Sequence, residues 1–486
     1  MSPVFTMLLA LAVPLAAVPL VVLAGRRPNL REAVTLAAAT TLFGLVAMLV
    51  PRVMDGARPA VILAEPFPGL PLALALEPLG MLFALIASFL WLITSVYSIG
   101  YMRGHKEQHQ TRFYAYFAAA LAAVMGVAFA GNMLTLFVFY EILTLSTYPL
   151  VIHAGTDQAR RAGRVYLGLL LGTSIVFLLL AIVWTWSLAG TLDFKPGGIL
   201  GGTAPAAVLG MLLVLYVFGV GKAALMPFHR WLPAAMVAPT PVSALLHAVA
   251  VVKAGVFTIL KVSVYLFGSG LMITLVVSQW LQYAAAATIL LASLVAMRQD
   301  NLKARLAYST ISQLGYVVLG AMFASTAGII GSAMHIATHA FGKITLFFCA
   351  GAILVATHKT EVSQMRGLGR RMPVTMTAFL IAALSIIGLP PAGGTWSKWY
   401  LAIGTLEAGQ LALLAVLMIS SLLNIAYLLP IPLRAFFSAP SSDNAPAGVR
   451  EAPLPCLVAI AVTAAGCLAL FFYPEPLYRL ASQVGR

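Results

Sequence analysis

Charged residues are scarce in this 486-residue chain, in which Asp, Glu, Lys and Arg together make up 9%. An ordinary soluble domain carries about 25% charged residues, so this chain cannot cover a water-exposed surface, and a soluble enzyme is excluded. Disorder is excluded as well, because 61% of the residues are hydrophobic and stand in long runs. The three cysteines, Cys349, Cys456 and Cys467, share no metal-ligand spacing and indicate no disulfide framework.

The hydrophobic runs predict an all-α, polytopic membrane protein with a single membrane domain over residues 1–486. A helix that crosses the hydrocarbon core needs about 20 apolar residues, and about fourteen such runs stand between charged or Pro/Gly-rich breaks. The polar stretches 51–71 and 438–453 are predicted to be loops. The predicted spans are 3–24, 32–50, 74–101, 113–129, 132–153, 163–189, 205–228, 240–266, 271–297, 303–324, 328–357, 373–405, 410–436 and 452–473.

Positive charges alternate between the loops. The loops after odd-numbered spans hold 19 of the 29 Lys and Arg residues, whereas the loops after even-numbered spans and the C-terminal tail hold 5. Because Lys and Arg accumulate on the cytoplasmic side, this ratio predicts that both termini lie outside a cell (inner) membrane. No Lys or Arg precedes the first run, which therefore lacks the basic segment of a signal peptide.

Six charged residues lie more than three residues from either end of a predicted span. A charge at the bilayer centre costs about 2.5–3.5 kcal/mol on insertion scales, so such residues usually face a protein interior or a water path. The alternative is a side chain that snorkels or pins two helices through an ion pair, and this alternative suits Lys261, which is near the end of its span. The six residues are Glu141, Lys222, Lys253, Lys261, Lys343 and Lys398.

These lysines suit proton transfer. Burial disfavours the charged form of a lysine, whereas a nearby carboxylate favours it, so a lysine can take up or release a proton when a neighbouring charge moves. Glu141 is the carboxylate best placed to change the protonation of such a lysine. Sodium prefers a cage of oxygen ligands, but buried carboxylates are predicted to be scarce, with Glu141 and the more peripheral Glu77 the only two. The side chains therefore favour protons over sodium.

Two histidines extend this set. His335, His339 and Lys343 are four residues apart on one predicted helix, so they form a single stripe, and histidines relay protons near neutral pH. Hydrogen-bonded core histidines are the alternative, whereas a haem would need ligands on both its faces. His247 lies six residues before Lys253, on a different stripe, and we assign His247 and Lys261 accessory roles.

Helix-breaking residues interrupt two spans. The segments are GVGKAALMPFHRWLPAAMVAPTPVS and GLPPAGGTWSKWYLA, and each holds a lysine, Lys222 or Lys398. Freed backbone groups at membrane depth need protein or a water-filled cavity around them, and paired broken helices mark inverted repeats with ion sites at the breaks. The sequence thus predicts two inverted five-helix repeats, residues 113–266 and 271–436. Prolines that merely kink long helices are the alternative.

The chain resembles the antiporter-like subunits of respiratory complex I and the large subunits of Mrp-type cation/proton antiporters. The resemblance covers predicted spans five to twelve through the stretches FYEILTLSTYPL, GKAALMPFHRWLPAAMVAPTPVSALLHAV, DNLKARLAYSTISQLGY, HIATHAFGKITLFF and GLPPAGGTWSKW. It implies a fourteen-helix core of two inverted repeats. It also implies that Glu141 and Lys222 form an ion pair and that Lys398 ends an exit path. Lys253 and the stripe of His335, His339 and Lys343 would lie between them.

Two departures leave the subfamily open. The chain ends soon after the last predicted span, without the long lateral helix of the largest complex I subunit. The segment LLHAVAVVKAG combines a His typical of that subunit with a Lys typical of the shorter ones.

The function expected from these features is proton translocation, driven by a redox partner module, in a multisubunit membrane complex. We expect no cofactor or metal in this chain and no nucleic-acid partner. The expected partners are other membrane subunits and the lipid bilayer, with iron–sulfur or flavin subunits at the periphery. The alternatives are an Mrp-type Na⁺(K⁺)/H⁺ antiporter without a redox partner, a subunit of a membrane-bound hydrogenase or of an inorganic-carbon uptake complex, and a scaffold without transport.

Overall fold

Helices and one short β-hairpin build the computed structural model, which describes residues 1–245, 249–439 and 448–485. The helices from α1 to α11 are Pro3–Leu23, Pro28–Met54, Pro78–Gly104, Gln110–Ala128, Met133–Val151, Asp157–Thr173, Leu179–Ala189, Ala206–Gly219, Trp231–Ala234, Thr240–Ala244 and Val251–Val262. The helices from α12 to α21 are Ser269–Thr274, Val276–Arg298, Leu302–Phe323, Thr326–Thr357, Pro373–Ile387, Gly394–Glu407, Leu411–Leu428, Pro430–Phe437, Leu454–Phe472 and Glu475–Ser482.

Short turns of other helix types join several of these elements. A π-helical turn links α6 to α7, and a second follows α11. The π turns are Ser174–Leu178 and Ser263–Phe267, and the 3₁₀ turns are Gly221–Ala223, Ala235–Val237, Val362–Met365 and Leu368–Arg370.

The all-α membrane architecture predicted from the sequence is confirmed. Eleven helical segments of the described residues are long and apolar enough to cross a membrane, and each falls on one of the predicted spans. The remaining three predicted spans, 205–228, 240–266 and 373–405, hold shorter, interrupted helices. The number of fourteen crossings stays a prediction.

The prediction of a loop at 51–71 was wrong. Helix α2 continues to Met54, and strands β1 (Ala60–Phe67) and β2 (Leu70–Ala75) form an antiparallel hairpin. Gly69 adopts a positive φ of 75° in the turn, and its N–H donates to the Glu65 carboxylate at 2.8 Å. A Pro–Gly pair between two apolar runs is a turn signal that sequence reasoning could have used. Because β2 extends to Ala75, α3 begins at Pro78 instead of residue 74.

Two helices begin earlier in the chain than predicted, because a side chain caps the N-terminus of each. Helix α6 begins at Asp157, six residues before the predicted 163, because Thr156 Oγ1 accepts from the Ala159 N–H at 3.1 Å. Helix α15 begins at Thr326, where Ser325 Oγ accepts from the Gly328 N–H at 3.1 Å. Beyond the last predicted span, α21 adds a short helix. In the predicted loop 438–453, residues 440–447 lie outside the described part.

Both predicted helix breaks are present. Helix α8 ends at Gly219, after which Ala224 takes a positive φ of 53°. Helix α16 ends at Ile387, where Gly388 has a φ of 92°, and α17 starts at Gly394. The predicted span 240–266 is also divided, since α10 ends at Ala244 and α11 starts at Val251. His247, predicted as an accessory residue, lies outside the described residues.

Helix α15 is the centre of the bundle. Helices α14, α16, α17 and α20 pack along it, and α3, α10 and α11 contact it as well. Nearly all its residues between Ala327 and Ala356 are buried, including His335, His339 and Lys343. Polar groups at membrane depth must find partners within the protein, so the neighbours of α15 decide what these side chains contact.

Candidate functional site

The break after α8 positions Lys222. Its ammonium group donates to the Tyr140 carbonyl at 2.8 Å and to Thr144 Oγ1 at 2.6 Å, both on α5. The ammonium also lies 3.0 Å from the centre of the Tyr140 ring. The 3₁₀ turn around Lys222 is anchored because Trp231 Nε1 donates to the Gly221 carbonyl at 3.0 Å. Lys222 is therefore fully buried and held by neutral acceptors.

Glu141 is the neighbour of Tyr140 on α5, but its carboxylate does not contact Lys222. Among the described residues, neither carboxylate oxygen of Glu141 has a hydrogen-bond partner, and both oxygens are buried. The two groups are close enough for their charges to interact. The ion pair implied by the resemblance is therefore not a direct contact. The two charged groups are adjacent instead, since Glu141 follows Tyr140 on α5 and Lys222 donates to the Tyr140 carbonyl.

Lys253 and His339 are in direct contact. The ammonium of Lys253 lies 2.6 Å from Nδ1 of His339, which joins α11 to α15. The ring of His339 stacks on that of His335, one turn along α15, with centroids 5.7 Å apart. His335 Nδ1 then lies 2.9 Å from Ser397 Oγ on α17. Three predicted residues and one serine thus form a continuous sequence of contacts, in which hydrogen-bond distances flank one pair of stacked rings.

Lys398 extends this sequence. It follows Ser397 on α17, and its ammonium donates to the Ile387 carbonyl at 3.0 Å and to Ser421 Oγ at 3.2 Å. Ile387 is the last residue of α16, so the ammonium lies at a helix C-terminus, where the helix dipole favours a cation. The Tyr316 ring lies 4.7 Å from the Lys398 ammonium and stacks on His335 at 5.6 Å. Lys398 and His335 therefore share two neighbours.

Lys343 belongs to the same stripe of α15 but has a separate set of partners. Its ammonium donates to Ser309 Oγ at 2.6 Å and to the Leu306 carbonyl at 3.3 Å, both on α14. Ser309 accepts in turn from the Tyr427 hydroxyl at 2.9 Å, and Tyr427 also donates to Asn424. The stripe thus has one branch toward Lys253 and Lys398 and another toward α14 and α18.

Lys261 differs from the other buried lysines. Its ammonium forms a 3.1 Å ion pair with Glu77 and also donates to the Ala130 carbonyl at 2.8 Å. The side chain of Lys261 is fully buried, and that of Glu77 is 14% exposed. Lys261 thus has the ion-pair geometry that the sequence offered as its alternative.

The charge of the hydrogen-bond partner separates the buried lysines into two groups. Among the described residues, Lys222, Lys253, Lys343 and Lys398 have uncharged hydrogen-bond partners, whereas Lys261 has a carboxylate. A buried ammonium without an opposite charge is costly, so small changes in the surrounding charge shift its protonation. The first group is therefore suited to exchange protons, and the paired Lys261 is suited to remain charged.

Two histidine ring nitrogens also belong to this buried cluster. Within the described ranges, Nε2 of His335 and Nε2 of His339 are buried and have no hydrogen-bond partner. A buried polar atom without a partner is rare and calls for an explanation. Each imidazole therefore has one nitrogen, Nδ1, in contact with the Lys253–Ser397 sequence and one nitrogen, Nε2, whose hydrogen bond the described residues leave open.

Sequence reasoning missed the side chains that connect the predicted residues. Ser397 stands beside Lys398 in GTWSKW, so its proximity to a predicted residue was the only available signal. Tyr316, Ser309 and Thr144 lie in stretches that carry the resemblance, but their roles could not be predicted, because their partners come from other helices. In the described part of the chain, no group of three or more His, Cys, Asp or Glu side chains could hold a metal ion.

Comparison with known proteins gives a consistent result. The sequence pattern of the family described as NADH:quinone oxidoreductase/Mrp antiporter, transmembrane, matches residues 130–424. The pattern described as NADH-ubiquinone oxidoreductase (complex I), chain 5 N-terminus, matches residues 69–114. The matched regions include every predicted site residue.

Individual relatives cover most of the chain. NADH-quinone oxidoreductase subunit N of Desulforudis audaxviator is 34% identical over 421 residues, which cover 83% of this chain and 82% of that protein. NAD(P)H-quinone oxidoreductase chain 5 of Synechocystis sp. is 34% identical over 349 residues, which cover 66% of this chain. The match spans 48% of that longer protein, so this chain corresponds to about half of the chain 5 relative.

A solved structure has the same fold. A chain of the Mrp complex from Dietzia sp. DQ12-45-1b matches 100% of this chain and 97% of its own length with a TM-score of 0.88, at 23% sequence identity. The apolar helices and the family patterns together establish a multi-span membrane protein. The chain belongs to the NADH:quinone oxidoreductase/Mrp antiporter family.

Proposed function

We propose that the chain translocates protons as an antiporter-like subunit of a multisubunit membrane complex driven by a redox partner module. The observation that carries the proposal is the sequence of contacts from Lys253 through His339 and His335 to Ser397, which stands next to Lys398. These groups are buried at the centre of the bundle. Intramembrane ionisable residues that line up in this way mark proton relays.

Proton uptake begins at Lys222 in this proposal. A charge in a partner subunit that pairs with Glu141, or leaves it, changes the field at the Lys222 ammonium. The loss of an opposite charge at about 4 Å, with an effective dielectric constant of about 20, is worth about 4 kcal/mol. That energy corresponds to about three pKa units, which is enough to release a proton toward Lys253.

The proton then crosses from α11 to α15. Lys253 delivers it to His339, and the adjacent His335 ring passes it to Lys398 by way of Ser397. Lys343, on the same stripe of α15, forms a side branch of the relay whose hydrogen bonds run to α14. From Lys398 the proton leaves toward the side that the charge distribution assigns to the exterior.

Orientation and partners are part of the proposal. The Lys and Arg distribution supports a cell (inner) membrane location with both termini outside. The names of relatives such as NADH-quinone oxidoreductase subunit N support partners that include other membrane subunits and a peripheral iron–sulfur or flavin module. The chain itself would contribute proton transfer and no redox chemistry.

Proton pumping in vesicles tests the relay. Lys222→Met, Lys253→Met and Lys398→Met should each reduce donor-driven acidification more than tenfold while the complex still assembles. Lys106→Met, at an exposed position between α3 and α4, is the matched control and should pump like wild type. Wild-type pumping in the Lys222 or Lys398 variant would overturn the mechanism.

Cation/proton antiport without a redox partner is the second candidate, favoured by the match of this chain to the family pattern named for Mrp antiporters. A pH gradient formed on addition of Na⁺ or K⁺ to vesicles that lack any electron donor would establish it. Mild purification of the tagged chain with mass spectrometry of its partners separates the candidates. Iron–sulfur or flavin subunits would support the redox-driven pump or a hydrogenase, whereas small hydrophobic partners alone would support the antiporter.

A further inference from the structure

A cavity of about 240 Å³ opens beside the start of α3 and the end of α11, on the side predicted to be external. The residues that bear on the argument are Arg58, Glu77, Phe194, Lys261 and Tyr265, all in its lining. The volume exceeds the space of about 30 Å³ that one water occupies in the liquid, so several waters fit beside Lys261. The cavity therefore brings the outer solution close to Lys261, whose side chain is itself fully buried.

The ion pair at the base of this cavity is fixed in place. One Glu77 oxygen accepts from the Gly80 N–H at 2.9 Å and lies 3.1 Å from the Lys261 ammonium. The other oxygen accepts from the Leu79 N–H at 2.6 Å and from the Tyr265 hydroxyl at 3.1 Å. Four donors hold the carboxylate, and the Ala130 carbonyl holds the ammonium from the other side.

Lys261 and Lys253 lie on the same stripe of α11, eight residues apart, with Phe257 midway between them. This spacing corresponds to about 12 Å along the helix axis. The Phe257 ring packs against Phe83 of α3 with centroids 4.9 Å apart, and it lies 5.3 Å from the Lys261 ammonium. All of these side chains are buried. Two aromatic rings in contact thus separate the outer cavity from Lys253.

We propose that the Lys261–Glu77 ion pair and the Phe83–Phe257 ring pair together seal Lys253 from the outer solution. The inference rests on the proposed function, in which Lys253 carries protons. An open path from the cavity to Lys253 would let protons of the outer solution enter the relay and run back toward Lys222, and the gradient would be lost. The seal determines that protons leave through Lys398 and not along α11.

Two physical barriers make up the seal. The rings offer no hydrogen-bonding group to a water chain, which needs polar partners along its path. Arg58 and Lys261 outweigh Glu77, so the ionisable residues of the lining carry one net positive charge. At about 5 Å, with an effective dielectric constant of about 20, this charge lowers the occupancy of an entering hydronium by about two orders of magnitude.

Passive proton leak tests the seal. The complex, purified from its native membrane, is reconstituted in K⁺-loaded liposomes that contain an internal pH dye. Valinomycin then sets a potential that drives protons inward without an electron donor. Lys261→Met and Phe257→Ala should each raise the proton leak at least tenfold. Lys261→Arg keeps the charge, and Phe379→Ala changes an equally buried ring of α16, so both should leak like wild type.

The outcomes separate the seal from the proposed function. Wild-type leak in both Lys261→Met and Phe257→Ala, in complexes that still assemble, would overturn the seal. Loss of pumping without leak in Lys261→Met would make Lys261 a conducting residue and would also overturn it. Adding Lys253→Met to Phe257→Ala should abolish the extra leak. An extra leak that persists would uphold the seal but contradict the route through Lys253.

Discussion

The Nζ atom of Lys253 lies 2.6 Å from Nδ1 of His339 and so connects α11 with α15. The two residues fall in the first and second predicted repeats, residues 113–266 and 271–436. This hydrogen bond therefore joins relay residues of the first predicted repeat to those of the second. This bond is the step at which a proton crosses from the uptake half to the release half in the proposed mechanism.

Removing His339, the acceptor of this bond, should stop proton transfer between the uptake half and the release half. His339→Ala is expected to reduce proton pumping at least tenfold, because Lys253 then loses its described partner and His335 its stacked neighbour. Donor-driven quenching of a pH-sensitive dye in inverted vesicles measures the loss. His358→Ala changes an exposed histidine at the C-terminal end of the same helix and should leave pumping unchanged. Equal pumping in both variants would remove His339 from the relay.

Removing Lys261, the lysine paired with Glu77, is expected to lower the stability of the protein. Lys261→Met leaves the largely buried Glu77 carboxylate without its counter-charge, and breaking a buried pair in this way costs about 3–5 kcal/mol. The thermal unfolding midpoint in detergent should fall accordingly. Lys261→Met/Glu77→Gln should recover part of the loss, because the unpaired charge is gone. A double variant no more stable than the single variant would show that the pair contributes little.

The sequence predicted the buried lysines and two of the helix breaks well, because both leave local signals. A lysine inside an apolar run is visible without knowledge of the fold, and so are the Pro and Gly clusters beside Lys222 and Lys398. The division of the span 240–266 between α10 and α11 left a weaker signal. The β-hairpin was not predicted, because most of it lies in the polar stretch 51–71, which is predicted to be a loop.

The partners of these residues could not be predicted, because they come from distant helices. Lys343 shares a stripe with His335 and His339, yet its ammonium binds Ser309 of α14. Likewise Glu77 meets Lys261 only once α3 and α11 are packed together. Periodicity identifies which side chains share a helix face, but the neighbouring helices determine which atoms they contact.

Backbone strain at a helix break offers a third test. Gly388 has a φ of 92°, and a Cβ there would lie 2.6 Å from Cδ of Lys398. Gly388→Ala should therefore strain the backbone by about 1–3 kcal/mol and displace the Lys398 ammonium from the Ile387 carbonyl. Pumping and the unfolding midpoint should both decrease. Gly409→Ala is the matched control, since Gly409 also has a positive φ of 67° but has no atom within 4 Å of the added Cβ.

An ion-pair cluster between α2 and α3 predicts a purely structural effect. The Arg103 guanidinium donates to both oxygens of Glu32, one at 3.0 Å, and Arg31 lies 3.6 Å from the same carboxylate. Glu32 is buried and Arg103 is half exposed, so Glu32→Gln should cost about 2–3 kcal/mol. The unfolding midpoint should fall while pumping per folded complex stays at the wild-type level. Glu475→Gln, in a pair whose side chains are both 62% exposed, should change the midpoint little.

Orientation in the membrane can be measured directly because the native cysteines are buried. Cys349, Cys456 and Cys467 are free and inaccessible, so the wild-type chain should give little background with a membrane-impermeant maleimide. Glu65→Cys lies in the exposed hairpin, on the predicted outer side, and Asp157→Cys lies at the exposed start of α6, on the predicted cytoplasmic side. In intact spheroplasts the reagent should label Glu65→Cys and leave Asp157→Cys unmodified until lysis. The reverse pattern would invert the predicted orientation and would place the Lys261 cavity on the cytoplasmic side.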